Sequence, residues 1–298
     1  MSKDARTGSQ SARVEIGVEQ LARLSERLSR EHALPLSSYR NNCIQRRLST
    51  RIRSLGLYSL DQYLDLLDAD PSEEKKLIDA LTISVSSFFR DPETFSFLAR
   101  KVVPEILAWS GKYDSRVNVW SAGCSTGEEA YSLAIIFCEA SEEFRNKNRL
   151  RIWATDIDEE ALALAREGFY RKDKMTNLST AQIERYFITS GKGFKVRPEL
   201  KSLVEFRKEN ILAPVFNGFE GLDMVICRNL LIYLEKNEQM RLLEKFERSL
   251  RQGGFLVLGK TEFLREQLRG SFEHISLSER IYRKSSRALS AGRAGGKR

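Results

Sequence analysis

From residue 15 to about residue 84, apolar positions recur every three or four residues, the spacing of helices with one buried face. The stretch "VEQLARLSERLSREH" puts Val18, Leu21, Leu24 and Leu28 on one stripe. "SYRNNCIQRRLSTRIRSLG" puts Ile44, Leu48, Ile52 and Leu55 on another, and Gly56 is a natural helix stop. Two more helices are predicted in "SLDQYLDLLDA" and "EEKKLIDALTI". Between them, Asp70-Pro71 reads as an N-cap followed by proline at the first helical position. Nothing here alternates with period two, so a small all-helical domain is expected.

After "FFRDPETF" the pattern changes. Asp91-Pro92 opens one more helix, to about Trp109, and short apolar runs then alternate with helical segments. "VNVWSA" precedes "EEAYSLAIIFCEA"; "LRIWATDID" precedes "EEALALAREGF"; "LDMVICRN" precedes "KNEQMRLLEKFERSLR". "GGFLVLG" and the weaker runs "FEHIS" and "RIYRKS" follow. This order predicts an α/β fold: a doubly wound, mostly parallel sheet with right-handed crossovers. Residues 170–210 break the alternation with a capping-box start at Ser179–Gln182, a "GKG" turn and two short strand-like runs, which together read as an inserted subdomain. The expected boundaries are a disordered segment at 1–14, a helical domain at 15–86, an α/β domain at 87–284 with the insertion at about 170–208, and a disordered basic tail at 285–298.

Composition narrows the class. The 298 residues are 41% hydrophobic and 30% charged, as in a water-soluble protein with a real core. Four cysteines without a C-x-x-C pair, and two histidines, argue against a disulfide framework or a structural zinc. No metal and a cytoplasmic location are expected. No apolar run approaches the roughly 18 residues that span a bilayer, and the first residues lack a signal core, so no membrane insertion is expected. The net charge of +8 favours an anionic partner without naming its kind.

Five motifs carry candidate chemistry. "VWSAGCSTGEEAYSLA" is a strand–turn–helix in which Gly123 and Gly127 let a ligand approach the backbone, or merely build a tight corner. Its spacing is neither a dinucleotide fingerprint nor a P-loop. Glu129 completes a Thr126-x-x-Glu capping box, or accepts bonds from a ligand's amine or hydroxyls. Asp156, ending "ATDID", suits a ribose diol, and Asp158 suits the cap of the next helix. "CRNLLIYL" places Cys227, Arg228, Asn229 and Tyr233 after a buried strand. "LTISVSSFFRD", at the expected domain junction, holds Ser84, Ser86 and the permanently charged Arg90.

Taken in order, these motifs resemble the chemotaxis-receptor protein-glutamate methyltransferases, the CheR family. The resemblance runs from about residue 16 to 284 through "LTISVSSFFR", "WSAGCSTGEEAYS", "ATDID", "REGFYR", "VEFRKENIL" and "DMVICRNLLIYL". It implies a methyltransferase domain, a helical N-terminal domain and a small inserted antiparallel β-subdomain. It also implies methyl transfer from S-adenosylmethionine to receptor glutamates, giving methyl esters and S-adenosylhomocysteine. By motif position, cofactor contacts fall to Ser84, Ser86, Arg90, Gly123, Glu129, Asp156, Asn210, Ile211, Cys227, Arg228 and Asn229. Arg90 and Tyr233 match the positions that act on the substrate carboxylate. The family pattern T-x-N-x-T-x-F-F-R is altered here: Ser86 keeps a hydroxyl, but Ser84 replaces an amide. The short "SGKGF" turn, at residues 190–194, predicts independence from the C-terminal pentapeptide tether of some receptors.

One further feature concerns partners. Residues 33–60 contain no acidic residue and five arginines. At about 100° per residue, Arg40, Arg47 and Arg51 lie within roughly 40° of one another, while Arg46 and Arg53 share a second face. The row reads as a solvated basic face, or as a dock for the acidic cytoplasmic methylation helices of chemoreceptors. A monomer that binds no nucleic acid is expected. The competing readings are a nucleic-acid methyltransferase, disfavoured because no Pro-Pro-aromatic follows Asn229, and a non-catalytic module that binds S-adenosylmethionine or receptor.

Overall fold

The computed structural model describes residues 14–32, 34–82, 86–145, 149–213 and 219–285. The chain divides into two compact units, Met1–Ile83 and Ser84–Arg298. The expected disordered termini fall mainly outside the described residues, but Val14 is buried and Glu15 bridges to Ser59.

The first unit contains helices α1 (Val18–His32), α2 (Asn41–Ser54), α3 (Leu60–Ala69) and α4 (Pro71–Leu81). Asp70 caps α4 by accepting from the Ser72 amide, and Pro71 occupies the first turn. The buried stripe of α1 is Leu24 and Leu28; Val18, at its first turn, is 86% exposed.

Two of the expected docking arginines point into this unit. The Arg51 guanidinium grips Glu73, Nε to Oε1 at 2.7 Å and Nη2 to Oε2 at 2.6 Å. Glu73 is only 2% exposed and also accepts from the Tyr63 hydroxyl at 2.8 Å. Arg47 donates to the Leu81 carbonyl that ends α4. These two therefore hold α2 to α4, correcting the expectation of a free basic row. Arg40, at the N-cap of α2, is exposed, as are Arg46 and Arg53.

The second unit opens with α5 (Pro92–Phe97), which passes through a π-turn at Leu98–Val102 into α6 (Val103–Tyr113). Then come β1 (Val117–Ala122), α7 (Glu128–Ala140), β2 (Leu150–Asp156), α8 (Glu159–Glu167), β3 (Phe169–Arg171), α9 (Thr180–Tyr186), β4 (Phe187–Ser190), β5 (Gly193–Val196) and α10 (Pro198–Lys201). β6 (Val204–Lys208), β7 (Leu222–Cys227), α11 (Lys236–Ser249), β8 (Leu250–Leu258), β9 (Phe272–Ser276) and β10 (Ile281–Lys284) complete it. The main sheet runs β6-β2-β1-β7-β8-β10-β9, parallel from β6 to β8 and antiparallel where β10 joins β8 and β9. The insertion forms a separate antiparallel sheet, β3-β5-β4. The capping box at Ser179 and Gln182 opens α9. The run at 204–208, expected within the insertion, instead pairs with β2 as an edge of the main sheet.

What positions a site is the reversal of strand order. The chain steps from β1 to β2 to β6 on one side, then returns to lay β7 on the other side of β1. In such sheets the crevice opens beyond the carboxyl ends of the strands at that reversal. Helix α7 fills the space behind it, buried from Ala130 to Cys138 on every face, as an interior helix must be apolar all round.

Candidate functional site

Beyond Ala122 the chain turns over the end of β2. The amides of Gly123 and Cys124 both donate to the Thr155 carbonyl, at 2.8 and 3.0 Å, and the Ser125 amide donates to Asp156 Oδ2 at 2.8 Å. Gly123 and Gly127 have φ of +77° and +91°, where side chains other than glycine are strained. A Cβ at Gly127 would lie 2.8 Å from Ala165 Cβ and 3.0 Å from Phe206 Cζ. That glycine therefore exists for packing against α8 and β6. A Cβ at Gly123 would meet Leu230 Cδ2 at 3.3 Å, so this turn closes on the 227–233 segment.

The capping box at Thr126 does not form. Gly127 is the N-cap of α7, and the Thr126 hydroxyl donates to Glu128 Oε2 at 2.6 Å. Glu129 turns into the crevice instead, accepting from Ser121 Oγ at 2.8 Å and lying 3.6 Å from Arg228 Nη1. Burial pushes the Glu129 carboxyl up, against the pull of Arg228, the Ser121 hydroxyl and Arg90, with nearby Glu262 adding to the rise. The Arg228 side chain is 2% exposed and pairs through Nη2 with Asp91. Asp91, read in the sequence as a helix cap, makes no cap bond; its φ is +57° and its carboxylate neutralises Arg228. Sequence reasoning missed this role, since Asp-Pro is such a common helix start.

Around Arg90 the backbone is gripped on several sides. Phe89, before it, has φ +48°, and its amide donates to Ser132 Oγ at 2.9 Å. Lys174 Nζ donates to the Ser86 carbonyl at 2.8 Å, and Asn177 Nδ2 to the Phe88 carbonyl at 3.0 Å. Lys174 also lies 3.3 Å from the fully buried Glu128 carboxylate. Left-handed backbone at non-glycine residues persists only where the surroundings impose it. Ser84 lies outside the described residues, and Ser86 is half-buried.

On the other wall, Asp156 ends β2. Its Oδ1 accepts from the Asp158 amide at 3.1 Å, while Asp158 caps α8 as expected, accepting from Glu160 and Ala161. Burial pushes the Asp156 carboxyl up, against these amide bonds. The Glu209 amide donates to the Asp156 carbonyl at 2.9 Å, which brings the half-buried Asn210 and the buried Ile211 beside it. Cys227 ends β7, wholly buried, and burial pushes its thiol far up, the setting of an unreactive cysteine. Asn229 follows at φ +61°, and the half-buried Tyr233 ends a short 3-10 turn, Leu231–Tyr233. The structure thus brings Arg90, Gly123, Glu129, Asp156, Asn210, Ile211, Cys227, Arg228 and Asn229 to one end of the sheet.

The residues present fit S-adenosylmethionine. Ser125 Oγ, Arg228 Nε and Asn229 Oδ1 are buried without a hydrogen-bond partner among the described residues, all at this crevice. Buried polar atoms are rarely left unpaired unless a ligand, ion or water completes them. An ionised carboxylate accepts about four hydrogen bonds, so Asp156 and Glu129 both retain acceptor capacity toward hydroxyls and an ammonium.

Comparison with known proteins agrees. Residues 84–281 match the family model of the CheR methyltransferase SAM binding domain, and residues 19–82 that of the CheR methyltransferase all-alpha domain. The chain is 36% identical over 264 residues to an uncharacterized 104.1 kDa protein of Rhodobacter capsulatus, covering 89% of this chain but only 27% of that protein. It is 34% identical to the chemotaxis protein methyltransferase of Klebsiella aerogenes, covering 80% of this chain and 81% of that one. It is also 34% identical to chemotaxis protein methyltransferase 2 of Pseudomonas aeruginosa, covering 82% and 86%. With both of its units matched and the crevice residues assembled between β1, β2 and β7, the chain belongs to the CheR methyltransferase family.

Proposed function

We propose that this protein transfers a methyl group from S-adenosylmethionine to glutamate side chains of chemoreceptors, giving methyl esters. The observation that carries the reading is the placement of Arg90. It sits on a segment held between Lys174, Asn177 and Ser132, close enough to Glu129 for its charge to act there. A guanidinium beside the crevice at the carboxyl ends of β1, β2 and β7 suits a carboxylate acceptor, which it can orient bidentately.

When bound, S-adenosylmethionine supplies a methyl group on a sulfonium, already activated for in-line attack. A substrate glutamate is ionised at neutral pH, so the protein needs no strong base. Its residues supply position and exclusion of water. Glu129 and Asp156 accept from the amine and the ribose; Ile211 and Cys227 provide apolar walls. Arg90 orients the glutamate without over-binding it, since methylation removes the charge it recognises. Tyr233 donates a hydrogen bond to the same carboxylate.

Docking of the acidic methylation helices falls to exposed arginines. With Arg47 and Arg51 committed inside the first unit, the exposed Arg40, Arg46 and Arg53 carry the electrostatics. Arg46 and Arg53 line a cleft of about 700 Å³ with Glu15, Asn42, Gln45 and Ser49. The β4–β5 turn contains only Gly191 and Lys192, which supports independence from a receptor tether.

The test is transfer of labelled methyl from S-adenosylmethionine to receptor-containing membranes. Base-labile label on receptors, lost in Arg90→Ala, is the expected result. Absence of label despite intact cofactor binding would overturn the reading in favour of a binding module.

A further inference from the structure

The segment from Asn229 to Leu234 carries the proposed substrate residue Tyr233, yet it satisfies only part of its own backbone. Asn229 is left-handed and the 3-10 turn is three residues long; the Tyr233 and Leu234 amides donate locally to the Leu230 and Leu231 carbonyls, while the Asn229 and Ile232 amides and the Leu234 carbonyl turn to side chains. Two buried side chains from other elements are the partners. Glu262, 3% exposed in the loop after β8, accepts from Gly259 at 2.7 Å, Asn229 at 3.0 Å and Ile232 at 3.3 Å. Gln239, buried on α11, donates its amide to the Leu231 carbonyl at 2.8 Å and the Leu234 carbonyl at 3.0 Å.

The pair is chemically sorted. A carboxylate, which only accepts, faces the N–H groups; an amide nitrogen, which only donates, faces the C=O groups. Arg265 fixes that sorting by donating to Gln239 Oε1, which leaves Nε2 turned to the carbonyls. Gly259 is required to be glycine, since a Cβ there would lie 2.7 Å from Glu262 Oε2 and 3.0 Å from the Asn229 amide. Arg228, one residue upstream, has separate anchors in Asp91 and Glu129. The clamp therefore acts on the Asn229 turn and on Tyr233.

We propose that Glu262 and Gln239 are positioning residues for methyl transfer, an acceptor–donor clamp that holds Tyr233 toward the substrate without touching it. This rests on the methyltransferase reading above. The test compares Glu262→Gln and Gln239→Leu with wild type in the full chain. Glu262→Gln keeps the shape and one acceptor oxygen, but turns the other into an NH2 donor facing an N–H group. In the cofactor-free protein, hydrogen exchange rises at least ~10-fold at whichever of Asn229, Ile232 and Gly259 then faces the NH2 instead of an acceptor, while the amides of β1 and α7 are unchanged. The Kd for S-adenosylhomocysteine stays within ~5-fold, because Asp156 and Glu129 keep their own hydrogen bonds and Glu129 loses only the neighbouring Glu262 charge, whereas kcat falls roughly 10²-fold, the usual effect of a misplacement near 1 Å. Gln239→Leu lowers kcat likewise by freeing the Leu231 and Leu234 carbonyls from its side chain, and the double variant loses less than the product of the two because both act on one segment. A kcat within threefold of wild type for both would overturn the proposal. So would exchange rising across the whole sheet with cofactor binding lost, the mark of a merely structural role. Wild-type protein that transfers no methyl would sink the reading of the reaction and leave the exchange result standing.

Discussion

Glu129→Gln separates the two roles that the sequence leaves open for this residue. A capping glutamate would tolerate the change, because glutamine also completes a capping box. The structure assigns Glu129 no cap bond; its carboxylate meets Ser121 Oγ at 2.8 Å and Arg228 at 3.6 Å. Its folded pKa is raised, chiefly by burial. The folded state therefore holds this proton more tightly than the unfolded one, and the stability associated with it declines as pH rises above the unfolded value of about 4.3. At pH 7 the substitution removes a desolvated charge but leaves Arg228 with Asp91 as its remaining counter-charge. These effects oppose, so the net change in stability should stay within about 1 kcal/mol, or about 2–4 °C for a domain of this size. On the proposed contact of Glu129 with the cofactor's amine, binding has no such compensation. Loss of a charged acceptor for an ammonium costs about 1.5–3 kcal/mol, roughly a 10- to 150-fold rise in Kd. Calorimetric titration with S-adenosylhomocysteine at pH 7, alongside thermal melts, reads both quantities. Wild-type affinity should also weaken as pH falls and Glu129 takes up its proton, and the variant should lose that part of the dependence. A Kd within twofold of wild type, or a melt lowered by more than about 8 °C, would refute the argument.

Other outcomes follow from the same geometry. Gly127→Ala forces a Cβ onto Ala165 and Phe206 at φ +91° and should destabilise the α/β unit by about 3 kcal/mol, visible as a melt lowered by roughly 10 °C. Arg51→Met takes from the buried Glu73 its bidentate partner, leaving the Tyr63 hydroxyl at 2.8 Å and Lys76 at 3.6 Å, at a cost of about 3 kcal/mol to the helical unit in denaturant titration. Arg51 holds the Glu73 carboxyl below its usual range. The stabilisation is therefore present above the unfolded pKa and lost as pH falls through the folded one, and Arg51→Met should lack that acid loss. Arg46→Glu with Arg53→Glu should cut receptor methylation and its salt dependence without changing the melt, because both side chains are exposed and act over a Debye length of about 8 Å. Methylation unchanged in that variant would remove the docking role.

Much of this was legible in one dimension because it is local. Period 3.6 and period 2 place helices and strands with no knowledge of partners; Asp70, Asp158 and the Ser179–Gln182 box cap their helices through contacts within three residues. The strand–helix alternation also places Glu129, Asp156 and Arg228 at one end of a sheet, since strand ends in a doubly wound fold share an edge. Tertiary structure alone decided which short-range option lost. Thr126 and Glu129 fit a capping box, but Ser121 and Arg228 hold the carboxylate. Asp91 looks like a cap, yet it balances a buried guanidinium 137 residues away. Arg47 and Arg51 share a helical face with Arg40, and only the position of α4 shows that two of them face inward. Glu262 and Gln239 carry no motif at all, because their partners are backbone groups. The physical reason is common to all these cases: burying a charge or an amide is favourable only with a partner in place, and the partner is chosen by packing across the chain, which local spacing does not encode.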